Sequence, residues 1–184
     1  RGAGNILGGQ QSGHLDALGF DLYTKMLERT IAEMKGDEIA DDVSVSINLG
    51  IDVSIPKDYI VEASQRLRTY KRISSAVDEA ELLGIRTEVE DRYGRIPRSV
   101  EHLFEYARLR KLAERTNIVS IDKASGGVAV KLGENALVEP EKLMAFLGEN
   151  EGSSFSPAGI LRVNIEVGDD PIVIAIRTLE SIRK

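Results

Sequence analysis

The sequence predicts an α+β fold, with an N-terminal helical hairpin arm followed by a domain with a small, largely antiparallel sheet and about five helices. Three observations predict it. Val43, Val45, Ile47, Leu49, Ile51, Val53 and Ile55 alternate with mostly polar residues, the period of a half-buried strand. Residues 59–115 lose that alternation and place apolar residues three and four apart among charged ones, the period of helices. Two further β-rich runs flank Ser125-Gly126-Gly127, a hairpin composition. Strands from distant parts of the chain with helices between them form one sheet beside a helical layer.

Residues 1–36 read as the arm, 37–42 as a short acidic linker and 43–184 as the main domain. The glycine-rich start, Gly2, Gly4, Gly8, Gly9 and Gly13, predicts a shaped loop. A helix over 18–35 follows, carried by Phe20, Tyr23, Leu27, Ile31 and Met34 and stopped at Gly36. In the main domain the strand over 43–55 ends at Pro56, and Gly50 is its candidate bend. The first helix covers 59–76 with Ile60, Leu67, Tyr70 and Ile73 facing inward. The second starts at a cap near Asp78, turns Leu82, Ile85, Val89 and Tyr93 inward, and closes at Gly94. Pro97 opens the third, whose stripe of Val100, Leu103, Phe104 and Ala107 is joined by Leu109, Leu112 and Ala113 on other sides, so it is covered twice and centres the core. After the hairpin of 118–123 and 128–132 come a short helix over 140–147, a strand through Leu161, Val163, Ile165 and Val167, and a terminal helix over 171–184. Ile172-Val173-Ile174 in that last segment is also strand material.

At 184 residues, 42% hydrophobic and 29% charged, the chain can bury one core of useful size and an appendage. The absence of cysteine removes disulfide frameworks, thiol catalysis and thiolate metal sites and suits a reducing compartment, with cytoplasm the expected location. No run approaches the roughly 20 apolar residues that cross a bilayer, and the start lacks the zones of a signal peptide. The chain begins at Arg1, not methionine, so it is expected to be part of a longer polypeptide. A net charge of -6 argues against a domain that holds DNA by broad phosphate neutralisation.

Catalytic constellations are absent from the pattern. There is no Gly-Lys-Ser/Thr phosphate loop, and Gly2-Ala3-Gly4-Asn5-Ile6-Leu7-Gly8 lacks the preceding strand and the spacing of a dinucleotide loop. Asp78-Glu79-Ala80-Glu81 spells an acidic box, but without an apolar strand ahead to aim it at magnesium it reads as a capped helix start. Ser12, His14 and Asp16 crowd into one loop, whereas triads are assembled across a fold. The two histidines, His14 and His102, have no companions at ligand spacing, so no metal site is expected, and His102 reads as an exposed helix residue.

Two basic clusters, Arg66, Arg68, Lys71 and Arg72, then Arg108, Arg110, Lys111 and Arg115, have two readings. They track a nucleic-acid backbone, or they are solvated faces pairing with the acidic helix between them, the reading an acidic domain favours. On that helix Glu88 and Asp91 share a ridge and are placed to receive arginines from another domain. Glu88 is equally spaced for a local pair with Arg92.

Arg1-Gly2-Ala3-Gly4-Asn5-Ile6-Leu7-Gly8-Gly9-Gln10-Gln11-Ser12-Gly13-His14, followed by Gly19-Phe20-Asp21-Leu22-Tyr23, resembles the translocation motif shared by RecG-type helicases and the bacterial transcription-repair coupling factor family. A second block resembles the C-terminal domain of that family: Ile55-Pro56 with Asp58-Tyr59-Ile60, Arg66-Leu67, Tyr70-Lys71-Arg72-Ile73, Glu90-Asp91-Arg92-Tyr93-Gly94 with Pro97, and Ala107-Arg108-Leu109-Arg110. Gln65 departs from the asparagine expected there, and the likeness weakens beyond Leu132. The resemblance implies an ATP-dependent DNA translocase as the full-length protein, with ATP and magnesium held elsewhere and no cofactor in this fragment. It implies that Arg1 and Gln11 are the polar residues coupling the motor to movement on duplex DNA. It implies too that the C-terminal domain packs on an N-terminal UvrB-like module of the same protein, hides the surface that recruits UvrA, and restrains the motor until RNA polymerase is engaged. Glu88, Asp91 and Arg92 lie within the stretch resembling that contact. An autonomous DNA-binding module is the alternative.

Overall fold

A computed structural model describes residues 45–184. The arm over 1–36, the linker over 37–42, the helix over 18–35, and Arg1, Gln11, Ser12, His14 and Asp16 lie outside the described residues.

Five strands and five helices follow in the order β1 (Ser46–Asn48), α1 (Ala63–Ser75), α2 (Glu79–Tyr93), α3 (Arg98–Arg115), β2 (Ile118–Ala124), β3 (Gly127–Leu132), α4 (Pro140–Glu149), β4 (Ser154–Phe155), β5 (Ile160–Asn164) and α5 (Pro171–Ile182). The sheet order is β1-β2-β3-β5-β4. Only the β1–β2 pair is parallel, with Ile47 opposite Ile121, and the other pairs are antiparallel. The expected α+β architecture is therefore present.

The hairpin of β2 and β3 turns at Ser125 and Gly126, where Gly126 takes φ +72°, a conformation that side chains with a Cβ resist. Gly127 opens β3 because β5 runs close by: a Cβ there would stand 1.9 Å from the Val163 carbonyl oxygen. Val128 and Val130 on β3, Leu161 and Val163 on β5, and Ile121 on β2 are buried. Against this face lie α3, over β2, and α5, over β3, packed on each other. α1 and α2 cover α3 from beyond. That is why α3 buries Val100, Leu103, Phe104, Tyr106, Ala107, Leu109, Leu112 and Ala113 on several sides, as the double covering read from its sequence requires.

Five expectations change. The alternation of 43–55 yields burial of Val45, Ile47, Leu49, Val53 and Ile55 but a ladder only over Ser46–Asn48. Gly50 at φ +66° turns the chain away, and β2 pairing stops at Asp122. The first helix begins at Ala63 rather than 59, after a turn in which the Tyr59 and Ile60 amides donate to Pro56 O at 3.2 and 3.1 Å. Leu67, expected inside, is 46% exposed because only the C-terminal half of α1 is covered, through Thr69, Tyr70 and Ile73. The strand through 161–167 ends at Asn164, and Val167 is fully exposed in the following turn. His102, expected on the surface, is largely covered.

The terminal helix forms despite its β-branched residues. Asp170 caps it by accepting from the Ile172 amide at 3.1 Å, and Pro171 occupies its first turn, two local signals that outweigh strand propensity. No described helix is long and apolar enough to cross a membrane.

Candidate interdomain interface

α2 is fixed at both ends by its own sequence. The Asp78 carboxylate accepts from the Glu81 amide at 2.8 Å, and Glu81 Oε2 accepts from the Val77 amide at 2.6 Å. This reciprocal arrangement satisfies free N–H groups at the helix start, so the acidic box is a cap, as its context predicts. At the other end Gly94 takes φ +85° and donates to Glu90 O at 2.8 Å, while Tyr59 Oη donates to Gly94 O at 2.9 Å. Leu82, Ile85 and Val89 face the core. Tyr93 joins them half-buried, edge-on to Tyr59 at 6.0 Å. Arg86 bolts α2 to α3 through Glu101 at 2.5 and 3.1 Å and also reaches Glu90 at 3.1 Å.

With the inner face so held, Ala80, Leu83, Gly84, Thr87, Glu88, Asp91 and Arg92 line an open depression on the outer face. Leu83 is 62% exposed, and nothing in the domain lies within 4 Å of a Cβ placed on Gly84. The three residues singled out from sequence come together here but differ in state. Arg72 of α1 donates to both oxygens of Glu88, at 2.9 and 2.7 Å, and this contact holds the Glu88 carboxyl below its ordinary range. The local Glu88–Arg92 pair allowed by spacing is not formed. Asp91 and Arg92 make no ion pair with any described residue.

The basic clusters are occupied at home in part, while Arg68, Lys71 and Lys111 make no ion pair with any described residue. Arg72 binds Glu88, and Arg108 binds Glu79 of α2 and Glu180 of α5 at 3.1 and 2.6 Å. Arg66 donates to the carbonyls of Ile60 and Val61 at 2.6 and 2.7 Å, and Arg110 pairs with Glu114 at 2.9 Å.

A second polar cluster joins three segments. His102 Nδ1 lies 3.1 Å from the Asp52 carbonyl oxygen and Nε2 lies 2.8 Å from Asp170 Oδ2. Arg98 also contacts Asp170 Oδ2 and lies 3.9 Å from Glu105. Burial works to raise the Asp170 pKa, but contacts from His102 when Nε2 carries a proton, from Arg98 and from the Ile172 amide outweigh it and hold the group below its ordinary value. Burial pushes Glu105 up.

The description "TRCF domain" matches residues 49–143, from the end of β1 into α4. The chain belongs to the TRCF domain family. Curated relatives that agree include the transcription-repair-coupling factors of Myxococcus xanthus, 35% identical over 152 residues and 83% of this chain, and of Bacillus subtilis (strain 168), 36% identical over 155 residues and 83% of this chain. That of Escherichia coli (strain K12) is 34% identical over 152 residues and 80% of this chain. The chain spans 13% of the length of each of these relatives. A crystal structure of the C-terminal domain of transcription-repair coupling factor superposes with a TM-score of 0.64 over 76% of this chain and 94% of that one, at 16% identity. The chain thus carries the C-terminal TRCF fold.

The TRCF match includes Glu88, Asp91, Arg92, His102 and Glu105 and stops short of Asp170. Of the features of this TRCF domain, Leu83 and Gly84 were not read from sequence as part of the α2 surface, although Gly84 inside an amphipathic helix was a visible irregularity. The His102 cluster was missed because Asp170 is 68 residues away along the chain.

Proposed function

We propose that this chain is the C-terminal regulatory piece of a transcription-repair coupling factor, which docks through the outer face of α2 on an N-terminal UvrB-like module of the same protein and hides the surface that recruits UvrA. The observation carrying the reading is a helix capped at both ends whose outer face leaves Leu83 and Gly84 uncovered beside Asp91 and Arg92, which have no ion-pair partner among the described residues. An exposed apolar residue rimmed by charges that could choose a partner is the composition of a docking surface. Masking is then an equilibrium between docked and undocked states, biased by contacts made in only one of them. Glu88 enters the contact already joined to Arg72, so the pair docks as a unit or exchanges partners.

The fragment itself performs no catalysis in this reading. The ATP-dependent translocase, with its magnesium, lies in the rest of the full-length protein, and Arg1 and Gln11 couple that motor to duplex DNA. RNA polymerase engagement is the event that releases the restraint.

The test is a reversal of Glu88→Lys together with Asp91→Lys in the full-length protein, with UvrA affinity measured before and after. Tighter UvrA binding is expected, as is loss of affinity between this chain and the separately expressed N-terminal module. Unchanged values in both measurements would reject the docking role.

A further inference from the structure

His102 and Glu105 stand one turn apart on α3, and Asp170 is brought beside them at the start of α5. One ligand-capable atom from each lies within 4.8 Å of the others. The hydrogen bonds of this cluster leave two of its groups unanswered. A backbone carbonyl only accepts, so the Asp52 contact places the imidazole proton on Nδ1. Nε2 then presents a lone pair to Asp170 Oδ2 at 2.8 Å, and a carboxylate oxygen has no proton to offer. A proton on Nε2 would answer that one contact. It would leave Glu105 unanswered, whose Oε2 is shielded from solvent and has no hydrogen-bond partner among the described residues. Among the described residues Arg98 is the one arginine or lysine in contact with these two carboxylates, and it reaches Glu105 only at 3.9 Å.

We propose that His102 Nε2, Asp170 Oδ2 and a Glu105 carboxylate oxygen bind a divalent transition-metal ion of the Zn²⁺ class. One such ion meets both deficits together and balances two carboxylates with two charges. The donor set, one imidazole and two carboxylates with room for water, suits zinc or its neighbours and not calcium or magnesium, which take oxygen alone. Second, the Nδ1–H to carbonyl contact is the outer support that metal-bound histidines ordinarily carry, because it fixes the tautomer and aims the other nitrogen. Asp170 divides its oxygens accordingly, with Oδ1 capping α5 at Ile172 and Oδ2 facing the cluster. Tetrahedral ligands at zinc lie about 3.4 Å apart, so small side-chain rotations close the site. Arg98, with a side chain 56% exposed, moves out to solvent as the ion enters.

The ion would link α3, the segment containing Asp52, and the start of α5, none of which touches the outer face of α2. The test titrates the metal-stripped full chain with ZnCl₂ against a chromophoric chelator and, separately, with CoCl₂ while its visible absorption is recorded. One equivalent is expected to bind, with the intense absorption of low-coordinate cobalt. Glu105→Gln and Asp170→Asn, which keep shape and the α5 cap, should each weaken binding at least about 10-fold, as loss of a metal contact ordinarily does. His14→Ala should leave binding unchanged, and Arg98→Met should tighten it by removing the competing cation. Absence of a stoichiometric site, or binding unaffected by Glu105→Gln and Asp170→Asn in variants with native circular dichroism, overturns the assignment.

Discussion

Arg72 reaches Glu88 from α1 with two nitrogens, at 2.9 and 2.7 Å, although Arg92 stands one turn away on Glu88's own helix. The fork of a guanidinium matches a carboxylate when it approaches end-on from a neighbouring element, and two parallel charge-assisted bonds result. A residue at i+4 must instead bend along the helix surface to compete. The contact lowers the Glu88 carboxyl below 4.5, chiefly through the Arg72 hydrogen bond and then its charge. Because the folded pKa is depressed, the stabilisation is present above the unfolded value and is lost as pH falls through the folded one. Carbon-detected NMR titration should therefore find the Glu88 midpoint below the ordinary glutamate value. In Arg72→Met the midpoint should rise towards the ordinary carboxylate range, and a midpoint that stays put would show that Arg72 does not hold Glu88 in solution.

α2 was the most legible element because its signals are local: a cap at Asp78, apolar positions at Leu82, Ile85 and Val89, and a glycine stop. Asp78→Ala removes the acceptor for the Glu81 amide and should cost about 1 kcal/mol, read as a shift in urea midpoint with unchanged slope, while Asp91→Ala, which removes no cap, should cost far less. An equal effect from both would mean that the cap is not what fixes the start of this helix. The hairpin was legible for the same reason, through Ser125-Gly126-Gly127, and α5 through Ile172, Ile176 and Leu179 at helical spacing, although Ile172-Val173-Ile174 also suits a strand and the deciding Asp170 cap was not read. What escaped depends on partners far along the chain. β1 is short because Gly50 at φ +66° turns the chain away from β2, which itself runs on to Ala124, two-residue β4 exists by pairing with β5, and Leu67 is exposed because none of the described residues covers the start of α1. His102 looked like an isolated surface histidine because Asp52 and Asp170 arrive from opposite sides of its position in sequence.

Across the whole molecule, α3 stands between the sheet and the outer helices, so its charged residues tie the layers together. Arg86 of α2 meets Glu101 of α3, Arg108 of α3 meets Glu79 and Glu180, and Arg98 of α3 meets Asp170. With the Arg72–Glu88 pair, the Arg108 contacts draw one arginine from each basic cluster into pairs within the domain, while the chain as a whole carries -6. Affinity for duplex DNA comes from releasing counterions, and each phosphate neutralised needs a cation free to approach it. An arginine already bound to a carboxylate must first give up that partner, and the net negative field opposes approach over longer distances. Fluorescence anisotropy with a labelled duplex should accordingly show no saturable binding at about 0.15 M salt, where charges beyond roughly 8 Å are screened. Glu79→Gln with Glu88→Gln frees Arg108 from one of its carboxylates and Arg72 from its own, so this variant should gain weak binding that falls steeply with salt. Tight, steeply salt-dependent binding by the unaltered chain would instead favour the DNA-binding reading over the docking one, with the cations supplied by Arg68, Lys71 and Lys111, which the intradomain pairs leave free among the described residues.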